Sequence, residues 1–94
     1  MYVVWGTFVK PSSPMGCLSA AEQALVAQGL QVLKGADGAD YLVVGGNNAV
    51  TLTLVCVPQQ GNTRMVVSAS SENPDIATQA RDVIRAMIEG APVA

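Results

Sequence analysis

The chain has 94 residues, half of them hydrophobic and 13% charged, with a net charge of −2. That length suits one domain over residues 1–94, and five Lys and Arg scattered among seven Asp and Glu leave no basic footprint for nucleic acid or an anionic membrane. Histidine is absent, which removes the usual general base and the commonest metal ligand. No apolar run approaches the roughly 18 residues needed to span a bilayer. No charged segment followed by an apolar one opens the chain as a leader would, so the sequence reads as soluble, and an exported form would already have lost its leader.

Tyr2–Lys10 is rich in β-branched and aromatic residues and is stopped by Pro11, which predicts a first strand. A helix follows with two possible starts. Ser13 caps a helix with Pro14 at its first position, or Ser19 and Glu22 form a capping box. Leu18, Ala21, Ala24 and Leu25 lie on one face at helical spacing, and Gly29 is placed to end the helix in the left-handed conformation. Lys34–Gly38 reads as a flexible loop. Tyr41–Val44 reads as a short second strand, and Gly45-Gly46-Asn47-Asn48 as a hairpin turn of residues that tolerate positive φ.

Ala49–Val57 is the best-defined strand, with Val50, Leu52, Leu54 and Cys56 on one face and Thr51, Thr53, Val55 and Val57 on the other. Pro58 is expected to end it and Gln59–Asn62 to turn the chain. Arg64–Ser70 returns as a strand with Met65, Val67 and Ala69 on one side. Asn73-Pro74 opens a last helix with Asp75 near the positive end of its dipole. Its expected buried stripe is Ile76, Ala80, Val83, Ile84, Met87 and Ile88, and Gly90 and Pro92 end it.

The expected architecture is an α+β two-layer sandwich in the order β-α-β-β-β-α, a mostly antiparallel four-stranded sheet with both helices on one face. The position of the first strand relative to the other three is left open. Two helices of about 15 residues cover one face of such a sheet and not the other. The second face would show Val55 and Val57 with two threonines, Val66 with Ser68, and whichever set of the first strand points outward. A second copy packing sheet against sheet would cover it, which predicts a homo-oligomer.

Seven carboxylates show no pairing suited to acid–base work. Asp37 and Asp40 have Asp-x-x-Asp spacing in a Gly-rich loop, too few oxygen ligands for a calcium site. The Gly45–Asn48 segment leads into a strand, whereas phosphate-cradling loops lead into a helix. Trp5, Tyr2 and Tyr41 have aromatic faces that could stack on a base or sugar, but without a basic surround they read as core or interface residues. Cys17 and Cys56 leave three readings open: a structural disulfide joining the first helix to the central strand, a redox pair, or two buried free thiols.

An aromatic strand with Trp5, Cys17 at the start of an Ala-rich helix, Val44-Gly45, Val55-Cys56-Val57, Val66-Val67-Ser68-Ala69 and an amphipathic last helix together resemble a loose group of small exported bacterial proteins of unknown function. The resemblance implies that Cys17 and Cys56 pair, and that the mature chain is exported or periplasmic; it brings no activity. The function expected from the sequence is a non-enzymatic, self-associating interaction module, with no catalytic, cofactor-binding or metal-binding residue. The alternative is a small-ligand-binding domain or minor enzyme with an apolar pocket between sheet and helices or at a dimer seam. A thiol-redox protein using Cys17 and Cys56 is the third.

Overall fold

Five strands alternate with two helices in a computed structural model that describes residues 1–11, 13–34 and 41–90, residue 34 through its backbone alone. The order is β1 (Tyr2–Lys10), α1 (Pro14–Ala27), β2 (Gln31–Lys34), β3 (Leu42–Gly46), β4 (Thr51–Gln59), β5 (Asn62–Ser71) and α2 (Pro74–Glu89). All pairings are antiparallel, in the sheet order β1-β5-β4-β3-β2. The class and the layered arrangement agree with the sequence; the strand count does not. Gln31–Lys34, directly after the helix stop at Gly29, is a fifth strand, bulged between Val32 and Lys34 and paired with β3. Four residues are too few to display a period, so nothing in the local pattern marks it.

The two caps follow the Pro-at-N1 logic. Ser13 Oγ accepts from the Gly16 amide at 3.0 Å, which selects the earlier start for α1. Asn73 Oδ1 accepts from the amides of Asp75 at 2.9 Å and Ile76 at 3.3 Å. Gly29, with φ of +73°, ends α1 as expected.

Period-two alternation sorts the side chains. One face of the sheet carries Phe8, Val43, Leu52, Leu54, Cys56, Met65, Val67 and Ala69, all buried. Leu18, Ala21, Ala24 and Leu25 of α1 and Ala77, Ile84 and Ile88 of α2 pack on it and complete one core. α1 lies against β2, β3 and β4, while α2 lies against β1 and β5.

Three local expectations are corrected. Gly45 and Gly46 belong to β3, and neither has positive φ; among the described residues only Gly29 and Gly61 do. Gly45 is small because a Cβ there would stand 2.8 Å from both Leu25 Cδ1 and the Gln31 carbonyl oxygen. The turn is made by Asn47, whose Oδ1 accepts from the amides of Ala49 at 2.7 Å and Val50 at 3.0 Å. Second, Pro58 does not end β4, which continues to Gln59 with Pro58 opposite Thr63. Third, Ile76 is 37% exposed and Ala77 takes its place in the core, because the buried stripe of α2 runs through Ala77, Ile84 and Ile88. Asp37 and Asp40 lie outside the described residues.

The phase of the hydrogen-bond ladder explains Pro58. Residues of an antiparallel strand turn both N–H and C=O alternately to one side and the other. The Cys56 amide donates to the Tyr41 carbonyl at 2.9 Å, so even-numbered residues of β4 face β3 and odd-numbered ones face β5. The nitrogen of Pro58 therefore points away from β5, and its missing hydrogen costs the β4–β5 ladder nothing.

Candidate functional site: the open face of the sheet

No described element lies over the opposite face of the same sheet. Cross-strand register lines up Trp5, Ser68, Thr53 and Val44 in one row and Thr7, Val66, Val55 and Leu42 in the next. Trp5 is 64% exposed, and Val3, Val9, Val57 and Leu33 are also exposed. Val44, Val55 and Val66 are half-buried by their neighbours alone. Of the outward side chains described on this face, one is formally charged: Arg64, whose Nη1 donates to Thr7 Oγ1 at 3.3 Å. Thr7 Oγ1 in turn donates to the Met65 carbonyl at 2.9 Å. A tryptophan amid valines and short hydroxyls offers large apolar contact with little side-chain entropy to lose.

The sequence could not tell which set of β1 faces outward. Pairing with β5 decides it: Phe8 sits opposite Met65 in the core, so Trp5, of opposite parity, points away. Tyr2 and Tyr41 are exposed as well, so none of the three aromatic rings flagged in the sequence is a core residue.

The cysteines meet on the buried side. Cys17 and Cys56 form a disulfide with a Cα–Cα distance of 6.2 Å across 39 positions of sequence. Both are fully buried, and Met65 Sδ lies 3.9 Å from Cys56 Sγ. Three elements create the junction: the Ser13 cap places Cys17 in the first turn of α1, β4 aims Cys56 inward, and β5 supplies the thioether. Neither sulfur is reachable by solvent, whereas a thiol-redox protein needs one that is.

An open groove of about 240 Å³ lies where the end of α1, the β3–β4 turn and the first half of α2 meet. Its apolar lining includes Leu30, Val50, Val83 and Ile84, with Gln28, Asn47 and Gln79 among its walls. Among the described residues no group of three or more His, Cys, Asp or Glu is placed to hold a metal, and no helix is long and apolar enough to cross a membrane.

An antiparallel sheet carrying two helices on one face and no described element on the other defines an α+β layered fold. Among solved structures the chain is similar to the crystal structure of Ara h 8.0201, with a TM-score of 0.58 and 12% identity over 95% of each chain. It is also similar to the crystal structure of TTHA0849 from Thermus thermophilus, with a TM-score of 0.53 and 13% identity over 94% of this chain and 87% of the other. At that identity the likeness extends to the fold alone. No protein-family model matches the sequence, and no curated protein matches it.

Proposed function

We propose that this protein is a non-enzymatic interaction module that associates with a second copy of itself through the open sheet face. The observation that carries the reading is Trp5, 64% exposed midway along the edge strand β1, on a face whose one described charge is Arg64. The area is adequate. Strands of four to ten residues, at about 3.3 Å per residue and about 4.8 Å spacing, together present about 600 Å². Two copies would then bury about 1,200 Å², the lower bound of a specific interface. Packed sheets keep their strands within about 30° of one another, an arrangement that a valine- and threonine-covered face accommodates.

The test is molar mass by light scattering across a concentration series, for the wild type and for Trp5→Arg. Twice the chain mass for the wild type and a single chain for the folded variant are expected. A wild type that stays at one chain mass up to its solubility limit would overturn the proposal.

The groove between α1, α2 and the β3–β4 turn favours a second reading, a site for a small uncharged ligand with an aliphatic body and amide-matching polar groups. Stabilisation of the wild type by such ligands in a thermal-shift panel, weakened in Val83→Arg, would support it. We further propose that the mature protein works outside the cytoplasm, as in the group of small exported bacterial proteins it resembles. The buried disulfide supports this, since such bonds persist in oxidising compartments.

A further inference from the structure

A sheet with an uncovered face also has edges, and each edge is a template for adding another chain. The order β1-β5-β4-β3-β2 makes β1 and β2 the two edges. β2 is four residues long and bulged, features that discourage strand addition. β1 has neither protection: it is nine residues long and pairs in unbroken register along its whole length.

The ladder phase says which groups of β1 face outward. Odd residues of β4 turn to β5, so Val66, opposite Val55, turns to β4, and Met65, opposite Phe8, turns to β1. Phe8, Gly6 and Val4 therefore bond to β5, while Val3, Trp5, Thr7 and Val9 direct their N–H and C=O groups to the edge. At the middle of that edge the Trp5 carbonyl accepts a hydrogen bond from Arg81 Nη1 of α2 at 3.2 Å.

Arg81 is held there from both sides. Its Nη2 lies 2.8 Å and its Nε 3.0 Å from Asp82 Oδ1, so an ion pair stands beside the strand where an incoming chain would lie. Its stem crosses β1 at Gly6, where a Cβ would be 3.8 Å from Arg81 Cδ and 3.5 Å from Arg85 Nη1. Arg85 is fixed in turn by Glu89 at 2.8 Å and by the Phe8 ring, 5.4 Å from its centroid. The side of α2 that faces the edge thus brings its two arginines to the same stretch of backbone.

Resting on the self-association proposed above, we infer that Arg81 is an edge guard: by occupying the Trp5 carbonyl it keeps β1 from pairing with β1 of another copy, which confines association to the open face and closes the assembly at two chains. Without it, each dimer would keep two unguarded nine-residue edges and would grow by adding sheets edge to edge.

The experiment compares molar mass for the wild type, Arg81→Ala, Trp5→Arg and Trp5→Arg/Arg81→Ala, all with the disulfide intact. Arg81→Ala is expected to form concentration-dependent species larger than two chains, and the double variant to rise from one chain to two. Adding Val9→Pro, which removes an amide that β5 does not use, is expected to return the double variant to one chain. Arg81→Lys, which keeps a donor and a charge, is expected to behave as the wild type. Should Arg81→Ala fail to fold, Arg81→Met, which keeps the stem and carries no donor, replaces it with the same expectations. Masses unchanged by the loss of Arg81 in both backgrounds would overturn the guard, whether or not the wild type dimerises. A monomeric wild type would overturn the open-face interface, yet the double variant would still report on the edge.

Discussion

The two faces of this sheet are built from the same strands with opposite outcomes. On β4, Leu52, Leu54 and Cys56 are fully buried, whereas their immediate neighbours Thr53 and Val55 remain partly in water. Hydrophobicity alone does not separate Leu54 from Val55. The difference lies in what covers them: α1 and α2 lay their buried stripes on one face, and the other face has only its own strand neighbours among the described residues. The covered side holds Leu52, Leu54, Met65, Phe8 and the cystine together with Val43 and Val67. Threonine, serine, one tryptophan, Val44, Val55, Val66 and Leu42 go to the side that no described element covers.

The largest expected effect is at the one covalent link of the covered side. A bridge across 39 positions restricts the unfolded chain by about 4 kcal/mol in the chain-entropy model. Cys17→Ala/Cys56→Ala is thus expected to lower stability by about that amount, read from full urea curves with each form's own slope, because the freed unfolded chain exposes more surface and steepens it. Reductant added to the native wild type should act only after unfolding, because both sulfurs are buried. Free thiols appearing at once under native conditions would show that α1 opens easily from β4.

Adjacent positions on β4 give the sharpest contrast. Leu54→Ala removes a fully buried side chain and should cost about 3 kcal/mol. Val55→Ala, one residue along, should cost less than about 1 kcal/mol in dilute solution, where no partner covers it. A cost at Val55 that grows with protein concentration would be the signature of a covered face, since association stabilises by mass action. Equal costs at both positions in dilute solution would break the comparison.

Much of this division was legible in the sequence, and the reasons differ by element. The nine-residue β4 displays its period in full, and Ser13-Pro14 and Asn73-Pro74 announce both helices through local chemistry. What escaped depends on distant residues. The pairing of β1 with β5 joins segments far apart in the chain, and only that pairing turns Trp5 outward. Likewise Val32 is the one half-buried side chain among those described in β2, which exists because β3 offers it an edge. The glycines at 45 and 46 carry the composition of a turn, yet they answer to the crowding of Leu25 and the neighbouring backbone. The edge-facing role of Arg81 depends on the phase of three ladders together and leaves no mark in its own neighbourhood of sequence.

Gly45 offers a smaller perturbation of the covered side. Gly45→Ala would place a methyl group 2.8 Å from Leu25 Cδ1 and from the Gln31 carbonyl oxygen, so β2 and α1 must both yield. A cost of about 1–3 kcal/mol is expected from such overpacking. Hydrogen exchange should locate the damage in β2, the short edge strand that pairs with β3 alone. A stable variant with unchanged exchange in Gln31–Lys34 would mean that β2 floats free of the Gly45 backbone.

The smallest effect tests the entry of α1. Ser13→Ala removes the acceptor of the Gly16 amide and should cost about 1 kcal/mol. Because the cap sets the turn that carries Cys17, the loss should be smaller with the disulfide present, where the bridge holds that turn in place, than in the Cys17→Ala/Cys56→Ala background. Two urea titrations with and two without the bridge form a double-mutant cycle. A coupling of zero would mean that cap and cystine fix α1 independently. A positive one would mean that the cap and the buried sulfurs hold the first turn redundantly, each compensating for loss of the other.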